Sequence, residues 1–226
     1  MRHLLLSLAL LTGAGTAPAQ VAHLPSMGAG EFHVPVVSMR QARWASTLLQ
    51  QFDFSCGSAA LATLLTHHYG HPMTEQAVFE HMYDRGDQAK IQREGFSLLD
   101  MKRLLATLGY EADGFEQPLE QLSAAGLPAI VLINEKGYFH FVVVKGLQAD
   151  RVLIGDPAVG TRAVSRQAFD ASWQNRILFV VHNRMEAARF NLPADWRVAQ
   201  RAPLRDSLHR DGAAGINLPR RGPGDF

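Results

Sequence analysis

The hydrophobic pattern of the chain changes period partway along its length. Between residues 56 and 108, apolar side chains recur at helical spacing, as in Leu61, Leu64 and Leu65. After a short predicted helix at 118–122, short apolar runs bounded by turn residues follow at 129–133, 138–145, 151–154, 161–164 and 177–181. The connections between these runs are of hairpin length, which favours antiparallel pairing. The sequence therefore predicts an α+β fold, with an N-terminal helical half packed on a C-terminal antiparallel sheet.

Capping residues place the predicted helix boundaries. Ser97 and Asp100 have the spacing of a capping box, and Thr74 and Ser165 stand at the starts of two further helices. The predicted helices therefore span 56–70, 74–83, 98–108 and 165–173.

The two ends of the chain differ in composition from its middle. Residues 1–19 combine a basic start, an apolar run and an Ala-x-Ala pattern, which predicts a secretory signal peptide and a mature N-terminus at Gln20. Residues 20–34 read as an extended lead-in. Residues 183–226 are rich in Arg, Pro and Gly without a sustained apolar period, which predicts a weakly ordered tail. The predicted globular domain spans residues 35–182.

Charge and cysteine content limit the classes of function. Removal of residues 1–19 takes away one basic residue, Arg2, and no acid, so 21 basic side chains balance 21 acidic ones. Without an overall basic field, a nucleic-acid partner is not expected. No apolar run after residue 19 reaches the roughly 20 residues that cross a bilayer, so we expect no transmembrane segment in the mature chain. The predicted signal peptide implies export to an oxidising compartment. A single thiol in that oxidising compartment cannot form an internal disulfide, which favours a chemical role.

The single cysteine lies where a polar and aromatic loop becomes an apolar helix. Cys56 is predicted in the first helical turn, where unpaired backbone N–H groups and the helix dipole stabilise a thiolate. Because the thiolate is the nucleophilic form, this position predicts a reactive thiol with a lowered pKa. The alternative interpretation is a small buried residue of a core helix. The cysteine alone does not decide between the two.

A cysteine nucleophile needs a base, and the base needs an orienting acceptor. His140 interrupts an otherwise apolar strand, where a polar ring must be partnered or face a cleft. Asp156 ends the next predicted strand, so it can accept a hydrogen bond from the His140 ring, although it can also simply begin a turn. Gln50, in the loop before Cys56, is a candidate oxyanion donor, with Gln51 as its competitor.

A second group of histidines, His67, His68 and His71, clusters near a predicted helix end. No second set of ligands lies nearby at metal spacing, and a solvated helix end explains the cluster. Neither a metal nor another cofactor is predicted.

Together these residues resemble a known family. Gln50, Cys56 followed by Gly57 and an Ala-rich helix, the His-aromatic-Val-Val-Val strand at His140, and Gly-Asp-Pro at 155–157 are similar to the bacteriocin-processing double-glycine cysteine peptidases. These are papain-like domains that precede many peptide-exporting ABC transporters. The resemblance runs from about residue 35 to residue 182.

The resemblance implies a role for each matching residue. Cys56 would be the nucleophile, His140 the base, Asp156 its orienter and Gln50 the oxyanion donor. Ser55 stands where the family usually has an acidic residue, a departure that concerns leader preference and not the chemistry.

The signal peptide and the lack of a transporter make the chain similar to stand-alone periplasmic members, in particular the peptidase encoded with the functional-amyloid export systems of biofilm-forming bacteria. The implied function is an exported cysteine endopeptidase that cleaves after small residues, such as Gly-Gly, in a secreted polypeptide or export-system component. Two alternatives stay open: a non-catalytic peptidase-like module that binds a leader or export partner, and a papain-like amidase or acyltransferase.

Overall fold

The computed structural model of the protein describes residues 20–24 and 32–200. The predicted signal peptide and residues 201–226 of the predicted tail lie outside the described residues. The described residues fall into two compact units, with the division between Ser38 and Met39. In the first unit, strands β1 (Gln20–Leu24) and β2 (Phe32–Val36) pair antiparallel. The segment predicted as an extended lead-in therefore contains a strand pair.

The second unit begins with helices. They are α1 (Met39–Trp44), α2 (Cys56–Thr63), α3 (Glu75–Arg85), α4 (Gln88–Glu94) and α5 (Leu98–Thr107), followed later by α6 (Glu120–Ala125) and α7 (Arg166–Ser172). A π-helical turn, Leu64–His68, continues α2. The capping box of Ser97 and Asp100 forms at the start of α5, as predicted. None of the helices in the described part of the chain is long and apolar enough to span a membrane.

A six-stranded sheet follows in the order β3-β8-β4-β5-β6-β7, and every pairing in it is antiparallel. Its strands are β3 (Ala112–Glu116), β4 (Ala129–Glu135), β5 (Tyr138–Leu147), β6 (Arg151–Asp156), β7 (Gly160–Ser165) and β8 (Ile177–Val181). The five strands predicted from apolar runs and the α+β class are confirmed.

The sheet is covered on both faces, so its central strand is apolar at nearly every position. Along β5, Phe141 and Val143 pack against α2, α3 and α5, whereas Val142 and Val144 belong to a second core. That second core includes Phe169 and Trp173, from α7 and the residue after it. Side chains that alternate along a strand point to opposite faces. The unbroken apolar run of β5 follows from this double burial.

In the second unit, strand β3 and helix α4 are among the elements that were not predicted. Strand β3 contains Asp113, Gly114 and Glu116, and most of its residues are not buried because it lies at the sheet edge beside β8. Helix α4 buries only Ile91, so it shows no apolar period. Both are held by pairing or capping rather than by a hydrophobic stripe, and such elements leave little trace in the sequence.

Residues 183–200, here called the C-terminal strap, follow β8. They contain two 3-10 helical turns, Met185–Ala187 and Asp195–Ala199. The strap is the described part of the predicted tail, and that tail's weak order stays a prediction.

Candidate active site

Cys56 is the first residue of α2 and follows a tight loop. The loop closes through Ser55, whose hydroxyl accepts a hydrogen bond from the backbone N–H of Phe52 (3.1 Å) and donates to the Phe52 carbonyl (3.0 Å). The Ser55 side chain is therefore occupied and does not cap α2. Cys56 is 7% exposed, and every residue of α2 is buried.

The environment of the thiol differs from the prediction. Burial raises the pKa of Cys56, hydrogen bonds to the backbone of Phe141 and Gly57 lower it, and the charge of Asp156 raises it; the net shift is upward. A charge at a helix N-terminus gains about 0.3–1 kcal/mol, which is less than one pKa unit. Burial can shift a pKa by up to about 3–5 units. Burial therefore prevails, and the predicted lowering of the pKa is wrong: the resting site holds a neutral thiol.

His140 lies on β5 opposite Ile133 of β4 and is 3% exposed. Its Nε2 is 3.2 Å from Oδ2 of Asp156, at the end of β6. The other ring nitrogen, Nδ1, is buried without a hydrogen-bond partner. The ring of Tyr138 stacks on the imidazole with the centroids 5.0 Å apart. The ring is thus held on one side, and Nδ1 is the atom left for proton exchange.

Asp156 is held from three directions. Its Oδ1 accepts a hydrogen bond from the backbone N–H of Ala158 (2.9 Å), and its Oδ2 accepts two from Arg162 (2.9 and 3.2 Å) in addition to facing His140. Burial raises the pKa of Asp156, but the hydrogen bonds to His140, Ala158 and Arg162 outweigh burial and hold it below its usual value. The carboxyl group is therefore an anion in the folded protein at neutral pH.

Gln50 lies in the loop that precedes Cys56. Its backbone N–H donates to the carbonyl of Pro157 (3.1 Å), next to Asp156. Its side-chain Nε2 donates to the Phe52 carbonyl (3.1 Å), and its Oε1 is buried without a partner. The structure therefore places the Gln50 backbone beside the aspartate turn, while the amide hydrogen bonds within its own loop. Gln51 is exposed.

An open cleft of about 730 Å³ adjoins the histidine and aspartate. Its lining includes His140, Asp156, Arg162, Glu135 and Val159. The cleft is large enough for several residues of an extended peptide. It gives a ligand access to the otherwise buried His140 and Asp156, whereas Cys56 is not among the residues that line it.

Among the described residues, one group brings potential metal ligands together: Glu135, His140 and Asp156, with ligand atoms within 4.8 Å of one another. Arg162 donates to Oε1 of Glu135 (2.7 Å) as well as to Asp156. A guanidinium therefore supplies the positive charge between the two carboxylates, so the group does not suit a second cation. Of the other histidines, His68 contacts the Arg189 carbonyl (2.5 Å) and His71 the Tyr110 hydroxyl (3.3 Å).

Sequence reasoning missed Arg162 and Glu135. A signal for Arg162 existed, because a tight turn after Asp156 returns the chain antiparallel and pairs Asp156 with Gly160. Arg162, two residues further on, then lies on the strand beside the aspartate. Glu135 comes from β4, and nothing local connects it with this corner.

Comparisons with known proteins cover the region of the chain that contains these residues. The sequence model of the Peptidase C39 family matches residues 45–185. The chain is 41% identical over 181 residues, 80% of each protein, to the "Probable functional amyloid protease FapD" of Pseudomonas aeruginosa. It is also 29% identical over 135 residues to the lactococcin-G-processing and transport ATP-binding protein LagD of Lactococcus lactis, covering 58% of this chain and 18% of that protein.

A solved structure shows the same fold. The peptidase domain of Streptococcus ComA, a bi-functional ABC transporter involved in a quorum-sensing pathway, superposes with a TM-score of 0.51 at 23% identity, covering 60% of this chain and 96% of that domain. The predicted papain-like fold and the predicted family resemblance are confirmed. The chain therefore belongs to the peptidase C39 family and is a cysteine peptidase.

Proposed function

We propose that the protein is an exported endopeptidase that cleaves a secreted polypeptide after small residues, such as Gly-Gly, with Cys56 as nucleophile, His140 as base, Asp156 as its orienter and Gln50 as an oxyanion donor. The observation that carries the proposal is the buried His140 ring, bonded to Asp156 through Nε2 and unpartnered at Nδ1. Cys56 contacts the backbone of Phe141, the next residue on the same strand. This contact places the thiol beside β5 next to the position of His140, and in the resting structure His140 Nδ1 forms no hydrogen bond with it.

The chemistry starts from a neutral thiol. As the thiol sulfur attacks the scissile carbonyl carbon, His140 Nδ1 takes its proton, and Asp156 stabilises the imidazolium that results. The tetrahedral intermediate collapses to a thioester when His140 returns the proton to the leaving amine. Water, deprotonated by the same histidine, then hydrolyses the thioester and releases Cys56. The proton that His140 takes from the thiol goes to the leaving amine, and the proton that it takes from water goes to the released Cys56. The reaction therefore requires no cofactor.

The oxyanion would be stabilised by the backbone N–H of Cys56 and the side-chain amide of Gln50. In the resting structure the Gln50 amide donates to Phe52. A substrate carbonyl could replace Phe52 as the acceptor after a rotation of the Gln50 side chain. One such donor contributes about 100 to 1000-fold in turnover.

The proposed substrate and location rest on the relatives and on the sequence. FapD is named as a functional amyloid protease and LagD as a lactococcin-G-processing protein. By analogy, a polypeptide of an amyloid export system is the substrate class proposed for this chain, and the predicted signal peptide would place the enzyme in the periplasm. N-terminal sequencing of the exported protein should then return Gln20, whereas Met1 would contradict export by cleavage.

The test of the proposal is peptide cleavage followed by mass spectrometry. A synthetic peptide with an internal Gly-Gly should be cut after the second glycine, whereas a matched peptide with Leu-Leu should not. Cys56→Ala should abolish cleavage, and His140→Ala should be nearly as damaging, since its ring moves every proton. Asp156→Asn should retain partial activity.

Gln50→Ala should lower turnover by roughly 100 to 1000-fold with little change in KM, and Gln51→Ala is its matched control. Circular dichroism should first show that all variants are folded. If Cys56→Ala binds the peptide as tightly as the wild type but the wild type does not cleave it, the chain is a binding module. If Gln51→Ala rather than Gln50→Ala lowers turnover, Gln51 and not Gln50 is the oxyanion donor.

A further inference from the structure

The C-terminal strap contacts both the helical part and the sheet. The backbone N–H of Arg189 donates to the carbonyl of His68 (2.8 Å), at the end of the π-helical turn that continues α2. The backbone N–H of Asn191 donates to the carbonyl of Lys145 on β5 (2.8 Å). The family match ends at residue 185, so most of the strap lies outside the matched region.

Lys145 is a fully buried cation beneath this strap. Its exposed fraction is 0%, and it lies where the register of β5 and β6 shifts between Val144 and Gly146. Its ammonium group forms an ion pair with Asp195 of the strap (3.3 Å), itself 7% exposed. A buried charge without a partner is strongly destabilising. The strap therefore supplies the counter-charge that this position in the sheet requires.

The same ammonium group holds the segment that leads to the active site. Lys145 donates to the carbonyl (2.8 Å) and the hydroxyl (2.5 Å) of Ser46, and Ser46 in turn donates to Asp195. Thr47 is hydrogen-bonded to Thr161 of β7 (2.7 Å). These contacts lie at the start of the loop that continues to the active-site glutamine.

The remainder of that loop is tied down in the same way. The backbone N–H of Leu48 donates to the Thr63 hydroxyl on α2 (2.9 Å), and the backbone N–H of Gln50 donates to the Pro157 carbonyl (3.1 Å). Residues 46–50 are thus connected to the strap, the sheet and the nucleophile helix. The buried Lys145 is the point at which the strap joins this chain of contacts.

We propose that the strap is a positioning element of the active site: Asp195, by pairing with Lys145, fixes Ser46 and hence the loop that carries Gln50 to its place before Cys56. The inference rests on the proposed role of Gln50 where it concerns turnover. It adds Asp195, which lies beyond the family match, to the residues that support the active site. Lys145 and Asp195 act through the loop and touch no substrate.

The test is a double-mutant cycle in the full chain, with Asp195→Asn, Lys145→Met and both together. The matched control is the exposed pair Lys102 and Asp113, changed to Lys102→Met and Asp113→Asn; their side chains are 48% and 43% exposed. Three quantities are measured: Tm, hydrogen exchange of residues 46–52 by mass spectrometry, and kcat and KM on the Gly-Gly peptide.

Asp195→Asn should lower Tm by roughly 6–15 °C, because the buried ammonium group of Lys145 then lacks a counter-charge. It should also raise exchange in residues 46–52 by about tenfold or more and lower kcat by about tenfold with KM nearly unchanged, a change that corresponds to a misplaced donor. Adding Lys145→Met should restore most of the Tm, since the unpaired charge is then gone. The control variants should change Tm by less than about 3 °C.

Two outcomes would overturn the proposal. If Asp195→Asn lowers Tm while exchange in residues 46–52 and kcat stay at wild-type values, the pair stabilises the fold without positioning the loop. If Asp195→Asn behaves like the surface control in all three measurements, the buried pair has no special role. The exchange and Tm measurements need no peptidase activity, so they decide the matter even if the proposed cleavage fails.

Discussion

At the scale of single residues, the site combines a buried thiol with a firmly held histidine. Cys56 is neutral because burial outweighs its helix position, whereas Asp156 is ionised because the hydrogen bonds to His140, Ala158 and Arg162 together outweigh its burial. In the proposed mechanism, the thiol must therefore lose its proton to His140 at the start of each turnover.

The raised pKa of Cys56 predicts when the thiol becomes reactive. Because the thiolate is the species alkylated, the rate of iodoacetamide labelling should keep rising past pH 9, later than for N-acetylcysteine titrated in parallel. Cys56 is the single cysteine, so the labelled site is unambiguous. A rate that levels off well below pH 8.5 would show instead that His140 holds a thiolate in the resting enzyme.

Arg162 should act as a positioning residue for Asp156. Arg162→Gln removes two hydrogen bonds to the carboxylate and its neighbouring charge. The pKa of Asp156 should then rise, so the acid limb of kcat/KM should move to higher pH, and kcat should fall by roughly tenfold or more. Arg162→Lys should restore part of the activity, since it keeps the charge.

The matched control for this change is Arg166→Gln. Arg166 pairs with Glu120 and Asp170 on the surface. It should leave both the acid limb and kcat unchanged. An acid limb that does not move in Arg162→Gln would contradict the positioning role.

At the scale of elements, helix α2 is packed closely against its neighbours near its start. A Cβ on Gly57 would lie 2.9 Å from Met101 Cε and 3.1 Å from Phe96 Cβ. Contacts this short force the neighbours to move. The glycine that follows the cysteine thus permits α2 to approach α5.

Gly57→Ala should therefore lower the free energy of unfolding by roughly 1–3 kcal/mol, measured by urea denaturation. Overpacking should exceed the gain expected from placing alanine in a helix. Adding Met101→Leu removes the terminal methyl group and should recover part of the loss. If Gly57→Ala alone is as stable as the wild type or more stable, the contact between α2 and α5 can accommodate the added methyl group.

At the scale of the whole molecule, the strap covers a second buried titratable group. His68 is 0% exposed, and burial, with the nearby charge of Lys145, lowers its pKa to about 4. The unfolded chain takes up this proton near pH 6.5, whereas the folded protein does so only near pH 4. Its contribution to stability is therefore complete above about pH 6.5 and is lost as the pH falls towards 4.

The free energy of unfolding should decrease by on the order of 3 kcal/mol between pH 7 and pH 4 through His68 alone. The stability contributed by Asp156 is lost at a lower pH, because the pKa of Asp156 in the folded protein lies below its usual value. His68→Asn should flatten the pH dependence in urea unfolding, whatever its effect on stability at pH 7. His81→Gln, on the surface of α3 beside Arg85, should leave the slope intact. If His68→Asn leaves the pH dependence of the free energy of unfolding unchanged, His68 is not the source of that dependence.

The sequence by itself determined the features that depend on neighbouring residues. The change of hydrophobic period predicted helices before strands, Ser97 and Asp100 predicted the cap of α5, and the spacing of His140 and Asp156 across a hairpin predicted their pairing. The position of Cys56 at a helix start follows the same local rules. These features need only short stretches of chain, whose propensities and patterns are readable directly.

The tertiary structure determined the burial and the charged neighbours of those residues. Packing buried Cys56 and reversed the expected shift of its pKa, the C-terminal end of β4 placed Glu135 beside Arg162, and the strap placed Asp195 beside Lys145, far from it in sequence. Strand β3 likewise forms because β8 is beside it, not because its own residues favour it. Burial and long-range charge pairing depend on the whole fold, so no local pattern in the chain could have predicted them.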